Sequence, residues 1–153
     1  MDMKLVNPFI VAVKSVLEQF GLSDIKQQVV QQKEELIIKK EVTAYIGVVG
    51  DLQGNVAYSY SVETAKQLAS TMMMGMAVEV LDEMIKSALA ELANMFAGNS
   101  SPLFEMQNLT IDVTPPSLVV GDDIFFILSF HDAVTVVLET SLGEIEVNIE
   151  LEV

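Results

Sequence analysis

With 153 residues, about half of them hydrophobic, the chain is sized for one domain around a single substantial core. Its net charge of −14, with only eight basic residues, all lysine, excludes a basic face able to neutralise nucleic-acid phosphates or an anionic membrane surface. Cysteine is absent, so disulfides and thiolate chemistry are excluded, and no apolar run reaches the about 18 residues of a membrane span. The N-terminus has no secretory-signal pattern, which makes the cytoplasm the expected compartment. An acidic surface supports solubility and can also steer a partner with a basic rim; charge alone does not choose between these.

In chain order, Phe9, Ile10, Val13, Val16, Leu17 and Phe20 fall on one helical face. Asn7 suits the N-cap with Pro8 at the first helical position, and Gly21 ends the element. Residues 29–31 read as extended, and Lys33, Glu34 and Glu35 as a turn. Residues 36–49, rich in β-branched and aromatic side chains, predict a strand. A turn at residues 51–54 leads to a second strand over 55–60, and the two form a hairpin. Ser61 then caps a helix with Glu63 and Thr64 in its first turn. It runs to about residue 74, where the methionines Met72, Met73, Met74 and Met76 read as helix-end core packing and Gly75 stops it.

A long helix is predicted over residues 78–97. A short link follows, then strands at 110–113, 124–130, 134–140 and 144–153, with Pro115 and Pro116 forcing an extended break. In the last strand Ile145, Val147, Ile149 and Leu151 alternate with Glu144, Glu146, Asn148, Glu150 and Glu152, giving one core face and one wet face. The order predicts a single α+β domain over residues 1–153, an antiparallel-rich sheet with about three helices packed on one face.

The informative face lies on the long helix. At about 100° per residue, Ser87, Glu91 and Asn94 share one side. Small residues surround them: Ala90, Ala97 and Gly98. An acid and an amide therefore stand above a low surface that another macromolecule can approach closely. This Glu-x-x-Asn spacing in its helix resembles the signature of the CheC/CheX/FliY chemotaxis phosphatases, and the CheX-like members in particular. The resemblance extends over most of the chain. It includes Asn7, Pro8, Phe9 and Ile10 at the first helix, the segment from Asp112 to Pro116 with Val119, Val120 and Gly121, and the closing strand beginning at Gly143. CheC-type members carry a second copy of the signature on the first helix; here Glu18 is followed three residues later by Gly21, so that copy has no amide.

The resemblance implies a prokaryotic protein phosphatase that hydrolyses the aspartyl phosphate of a CheY-type response regulator. Asn94 would position the attacking water, which suits an amide that both donates and accepts hydrogen bonds. Glu91 would dock on the regulator's active-site lysine, with Ser87, Ala90 and Gly98 making the contact surface. The chain would hold no metal or cofactor of its own, since the Mg²⁺ belongs to the regulator, and a homodimer with sheet edges meeting is implied. The alternative from a different class is a noncatalytic receiver-binding adaptor or flagellar-switch-like module. A small-molecule hydrolase lacks a nucleophile, a metal set or a phosphate loop to support it. Of the other titratable groups, His131 and Asp132 read as a turn, Asp122 and Asp123 as another. Glu79, Asp82, Glu83 and Lys86 read as a solvated helix face in which Lys86 pairs with Asp82 or Glu83.

Overall fold

The computed structural model describes residues 1–33, 38–121 and 133–152. Among these residues, three long helices, α1 (Met3–Gln19), α2 (Val62–Met72) and α3 (Glu83–Gly98), and a one-turn helix α4 (Ser101–Glu105) accompany seven strands. The strands are β1 (Lys26–Lys33), β2 (Val42–Gly50), β3 (Gln53–Tyr60), β4 (Ile111–Val113), β5 (Ser117–Val120), β6 (Ala133–Thr140) and β7 (Gly143–Glu152). They form one antiparallel sheet in the order β1-β6-β7-β3-β2-β4, with β5 also pairing with β2. The α+β architecture expected from the sequence is the one observed.

Helix α1 starts five residues earlier than the proline suggested. Asp2 is its N-cap, accepting the Lys4 N–H at 3.0 Å, and Pro8 lies inside the helix. Proline cannot donate to the carbonyl four residues back. That carbonyl, on Lys4, instead accepts Nε2 of Gln107 at 3.0 Å. The same region docks through Phe9 and Phe104, whose rings meet edge-on with centroids 5.1 Å apart. A misplaced proline is thus compensated by the segment after α4. Gly21, with φ of +91°, follows the cap residue Phe20 and takes the chain away.

The core lies between the helices and one sheet face. Val6, Phe9, Val13 and Leu17 of α1, with Leu89, Leu92 and Phe96 of α3, meet Val42, Ala44, Ile46 and Val48 of β2 and the apolar row of β7. Tyr58 of β3 is buried against Phe96, ring centroids 5.1 Å apart. The expected alternation of β7 places Ile145, Val147, Ile149 and Leu151 in this core.

Its other face is not uniformly wet. Glu144 and Glu152 are exposed, but Asn148 and Glu150 are buried. Asn148 accepts from Thr135 Oγ1 at 2.9 Å and donates to the Ala57 carbonyl at 3.4 Å, while Thr43 and Ser59 pair beside it at 3.1 Å. Ile38 packs on Ala57 and Ala133 over the same face. Asn148, which alternation alone assigns to solvent, is thus buried with both ends of its amide hydrogen-bonded, which makes its burial tolerable.

Other boundaries also move. Residues 38–41 are not strand, and the hairpin turn is shorter than expected because Gln53 and Gly54 already pair with β7. Met72 and Met73 pack on the core as expected, but Met74 and Met76 are exposed. Met74 and Gly75, with φ of 59° and 89°, turn the chain outward after α2. Residues 76–82 are then non-helical, so α3 begins at Glu83 rather than residue 78 and Glu79 is not on it. The predicted features at Glu34, Glu35, Asp122, Asp123, His131 and Asp132, and the strand over 124–130, lie outside the described residues.

Candidate functional site

Helix α3 is fixed at both ends and along one side. Asp82 caps its start by accepting the Ile85 N–H at 3.0 Å, and Glu83 in the first turn complements the helix dipole. At the far end Asn99 Nδ2 donates to the Met95 carbonyl at 2.7 Å, and the buried Ser100 hydroxyl donates to that of Ala97. Leu89, Leu92, Ala93 and Phe96 are buried in the core, which sets the helix's rotation.

That rotation presents Ser87, Glu91, Asn94 and Gly98 to solvent, with Ala90 half-buried between them. Ala97, grouped with the small surface residues on sequence grounds, is instead fully buried, because 60° of rotation suffices to carry it into the core. A side chain added at Gly98 would have no atom within 4 Å of its Cβ. The low surface is therefore Ala90 and Gly98 alone. Among the described residues, neither Glu91 nor Asn94 is tied up in a hydrogen bond or ion pair, and Lys86 pairs with Glu83 at 3.6 Å. Both polar groups stand available on a rigid support.

The second wall of the site was not anticipated. Ser87, Ala90, Glu91 and Asn94 face Val113, Thr114, Pro115 and Pro116 across an open groove of about 480 Å³. Strands β4 and β5 both pair with β2, β4 along Val48, Val49 and Gly50, and β5 along the stretch from Val42 to Tyr45. They are one edge strand interrupted by the two prolines. Thr114 anchors the interruption: its N–H donates to the Gly47 carbonyl at 2.9 Å, and its Oγ1 accepts the Gly47 N–H at 2.8 Å. The absence of a side chain at Gly47 is required here, since a Cβ would lie 3.0 Å from both Cγ2 and Oγ1 of Thr114. The Pro-Pro pair was the one signal in the sequence; its position opposite Glu91 follows only from the register.

Among the described residues, no group of three or more His, Asp or Glu side chains is arranged to hold a metal ion. No helix among them is long and apolar enough to cross a membrane. A second groove, of about 300 Å³, lies where residues 76–82 meet the start of α3, lined by Met73, Met76 and Met84 among others. It contains neither Glu91 nor Asn94. On α1, Glu18 is exposed, but Gly21 lies past the helix end, so no residue there can repeat the α3 arrangement.

Three comparisons bear on this site. The family described as Chemotaxis phosphatase CheX matches residues 42–138 of the chain. The CheY-P phosphatase CheX of Thermotoga maritima is 34% identical over 124 residues, covering 81% of this chain and 80% of that one. Among solved structures, the CheX–CheY–BeF3–Mg²⁺ complex from Borrelia burgdorferi contains a similar chain, with a TM-score of 0.81 and 26% identity over 97% of both chains. The chemotaxis protein CheX of Desulfovibrio desulfuricans shares the fold with a TM-score of 0.86 at 22% identity, over 95% of this chain and 97% of that one. The groove-bearing helix and the Pro-Pro segment both fall within the matched residues, and the chain belongs to the CheX family of chemotaxis phosphatases.

Proposed function

We propose that this chain hydrolyses the aspartyl phosphate of a CheY-type receiver, with Asn94 positioning the water and Glu91 pairing with the receiver's active-site lysine. The observation that carries the reading is the pair itself: an uncommitted carboxylate and amide, one turn apart on a capped helix, facing an open groove. The Thermotoga relative is a CheY-P phosphatase, and the Borrelia relative is seen in complex with CheY, beryllium fluoride and Mg²⁺.

An acyl phosphate is already reactive, so a helper gains most by placing a water in line with the scissile P–O bond. The Asn94 amide can accept a hydrogen bond from that water and donate one to it or to a phosphoryl oxygen. The water's oxygen bonds to phosphorus, the bond from phosphorus to the aspartate oxygen breaks, and the products are the receiver's free carboxylate and inorganic phosphate. An amide is too weak a base to take the proton outright, so the gain is orientation. Glu91, one turn earlier, supplies a charge-assisted contact that holds Asn94 at the phosphoryl group. Ala90 and Gly98 let the receiver's cleft settle on the helix, with Ser87 at its margin. The Mg²⁺ and the lysine remain the receiver's.

Phosphate release from a Mg²⁺-loaded, phosphorylated CheY-type receiver tests this, with wild type, Asn94→Ala and Glu91→Ala in parallel. Asn94→Ala should lower kcat by about 10²-fold, the scale of losing one oriented polar group at a reacting centre. Glu91→Ala should act mainly by weakening the complex. A folded wild type that binds the receiver without accelerating phosphate loss would overturn the catalytic reading in favour of a receiver-binding adaptor. The same reading places the protein in the cytoplasm and pairs it as a homodimer through a sheet edge. Among the described residues β1 is the other edge of the sheet, and it suits that pairing better than β4–β5, where two prolines remove backbone donors; the molar mass in solution tests it.

A further inference from the structure

The edge of the sheet beside α3 carries a β-bulge of unusual composition. Val48 pairs with Val113 and Tyr45 with Ser117. Between these pairs, Ile46 and Gly47 on β2 face Thr114, Pro115 and Pro116, so the edge strand holds one residue more than its partner. Such a bulge bends its strand and re-aims the side chains it carries, and bulges are frequent beside active sites. Here it turns the two prolines into the groove opposite Glu91 and Asn94.

The bulge is held rather than loose. Thr114 takes both backbone groups of Gly47, and its hydroxyl, while accepting from Gly47, donates onward to the Pro115 carbonyl at 3.4 Å. The two pyrrolidine rings fix φ at the next two positions. A surface already fixed loses little conformational entropy when something binds to it. Pro115 and Thr114 are also exposed, and Pro116 is half-buried.

Size and geometry indicate what rests there. The groove of about 480 Å³ is many times the about 30 Å³ that one water takes up in the liquid. A phosphoryl group and its attacking water at Asn94 would fill one part of it and leave room for polypeptide. Ala90 and Gly98 leave the helix side low, whereas the bulge stands as a wall on the other side. A body that brings a phosphoryl group to Asn94 enters a groove whose opposite side is that wall.

We propose that Thr114, Pro115 and Pro116 form a docking ledge for the receiver loops that flank the phosphorylated aspartate, with the prolines as specificity-determining contacts and Thr114 as the positioning residue that holds them. This rests on the function proposed above. The ledge presents two apolar rings and no N–H at either proline, so it matches a loop offering an apolar side chain. It acts on affinity, and the chemistry stays with Asn94. The competing explanation is that the prolines only cap a sheet edge against pairing with another chain.

The experiment measures three things on wild type, Pro115→Ala/Pro116→Ala, Thr114→Val and Thr114→Ser: dephosphorylation kinetics, binding of the beryllofluoride-loaded Mg²⁺ form of the receiver, and molar mass in solution. Thermal melts establish that each variant is folded. The double proline variant is expected to raise KM and the dissociation constant about tenfold while kcat stays within about twofold. Thr114→Val is expected to raise KM several-fold, and Thr114→Ser, which keeps the hydroxyl, to restore it. Unchanged KM and binding in the double variant would overturn the ledge, and an accompanying rise in molar mass would assign the prolines to edge protection. A parallel fall of kcat with unchanged KM would also overturn it. A wild type that binds no receiver would remove the underlying reading and the ledge together; one that binds and turns over, with variants like wild type, would remove the ledge alone.

Discussion

Gly98 separates stability from docking more sharply than any other residue at the site. It is the last residue of α3 and exposed, its φ lies outside the glycine-favouring positive range, and its added Cβ would meet nothing within 4 Å. Replacing such a glycine by alanine restricts the unfolded chain without straining the folded one, and stabilises by about 0.4–1 kcal/mol. For a domain of this size that is a rise in Tm of about 1–4 °C. Yet Gly98 lies one turn beyond Asn94, about 6 Å along the axis, on the face that the receiver is proposed to cover. If the receiver's backbone approaches at van der Waals distance there, a methyl group displaces it, and a misplacement of about 1 Å at a reacting centre can cost about 10²-fold in rate.

We therefore expect Gly98→Ala to melt higher than wild type yet lose about tenfold in kcat/KM, and Gly98→Gln to lose substantially more. Calorimetry and the receiver dephosphorylation assay on the same preparations give both numbers. A fall in Tm for Gly98→Ala would refute the reading of Gly98 as unstrained and open. Wild-type kcat/KM in both variants would refute close approach of the receiver at this end of the helix.

Three further outcomes follow from other parts of the fold. Burial pushes the hydroxyls of Tyr58 and Tyr60 far above their ordinary value, so both stay protonated in the folded state while the unfolded chain releases its protons above about pH 10. The unfolded state then binds fewer protons, and stability, complete below pH 10, should fall with rising pH by about 1.4 kcal/mol per unit for each tyrosine. Among the described residues the Tyr58 hydroxyl has no hydrogen-bond partner, so Tyr58→Phe should be neutral or stabilising by about 1 kcal/mol at pH 7 and should halve that tyrosine contribution, as read from urea midpoints between pH 9 and 11.5. Gly47→Ala would set a Cβ 3.0 Å from Thr114 and disturb the 2.8 Å bond to its hydroxyl; a loss of about 1 kcal/mol in chemical denaturation, together with a raised KM for the receiver, is expected. Asp82→Ala removes the α3 cap and should cost about 1 kcal/mol in thermal unfolding, with Asp82→Asn close to wild type and the rate per folded molecule unchanged, since the cap is nine residues before Glu91.

The half of the site on α3 was legible because a helix converts sequence spacing into spatial adjacency by one rule. Glu91 and Asn94 share a face wherever the helix sits, and the burial of Leu89, Leu92 and Phe96 determines that this face is the outward one. The helix start was less legible. Residues 78–82 continue an apolar and acidic pattern that reads as helix, whereas the helix begins after the Asp82 cap. Likewise Pro8 reads locally as a first-turn residue, and nothing near it in the sequence announces that Gln107 will take over the Lys4 carbonyl. The Lys4 carbonyl's partner lies 103 positions away, beyond the reach of any local pattern.

The other half of the site was illegible for a different reason. Pro115 and Pro116 announce a break in extended structure, but a break has no position until its neighbours are paired. Where the prolines point depends on Val113 pairing with Val48 and Ser117 with Tyr45, and on Gly47 being bare enough to accept Thr114. Those facts join residues 65 to 72 apart and follow from sheet closure, which no local pattern encodes. The division matches the chemistry. The groups proposed to meet the phosphoryl group lie on one capped helix, where their mutual geometry is set over a single turn. The wall proposed to select the partner lies on a bulged edge strand, where one residue more or fewer would turn it away from the groove. A receiver could then be exchanged by altering the bulge while Asn94 keeps its orientation, which is why changes at residues 114–116 should move KM and changes at Asn94 should move kcat.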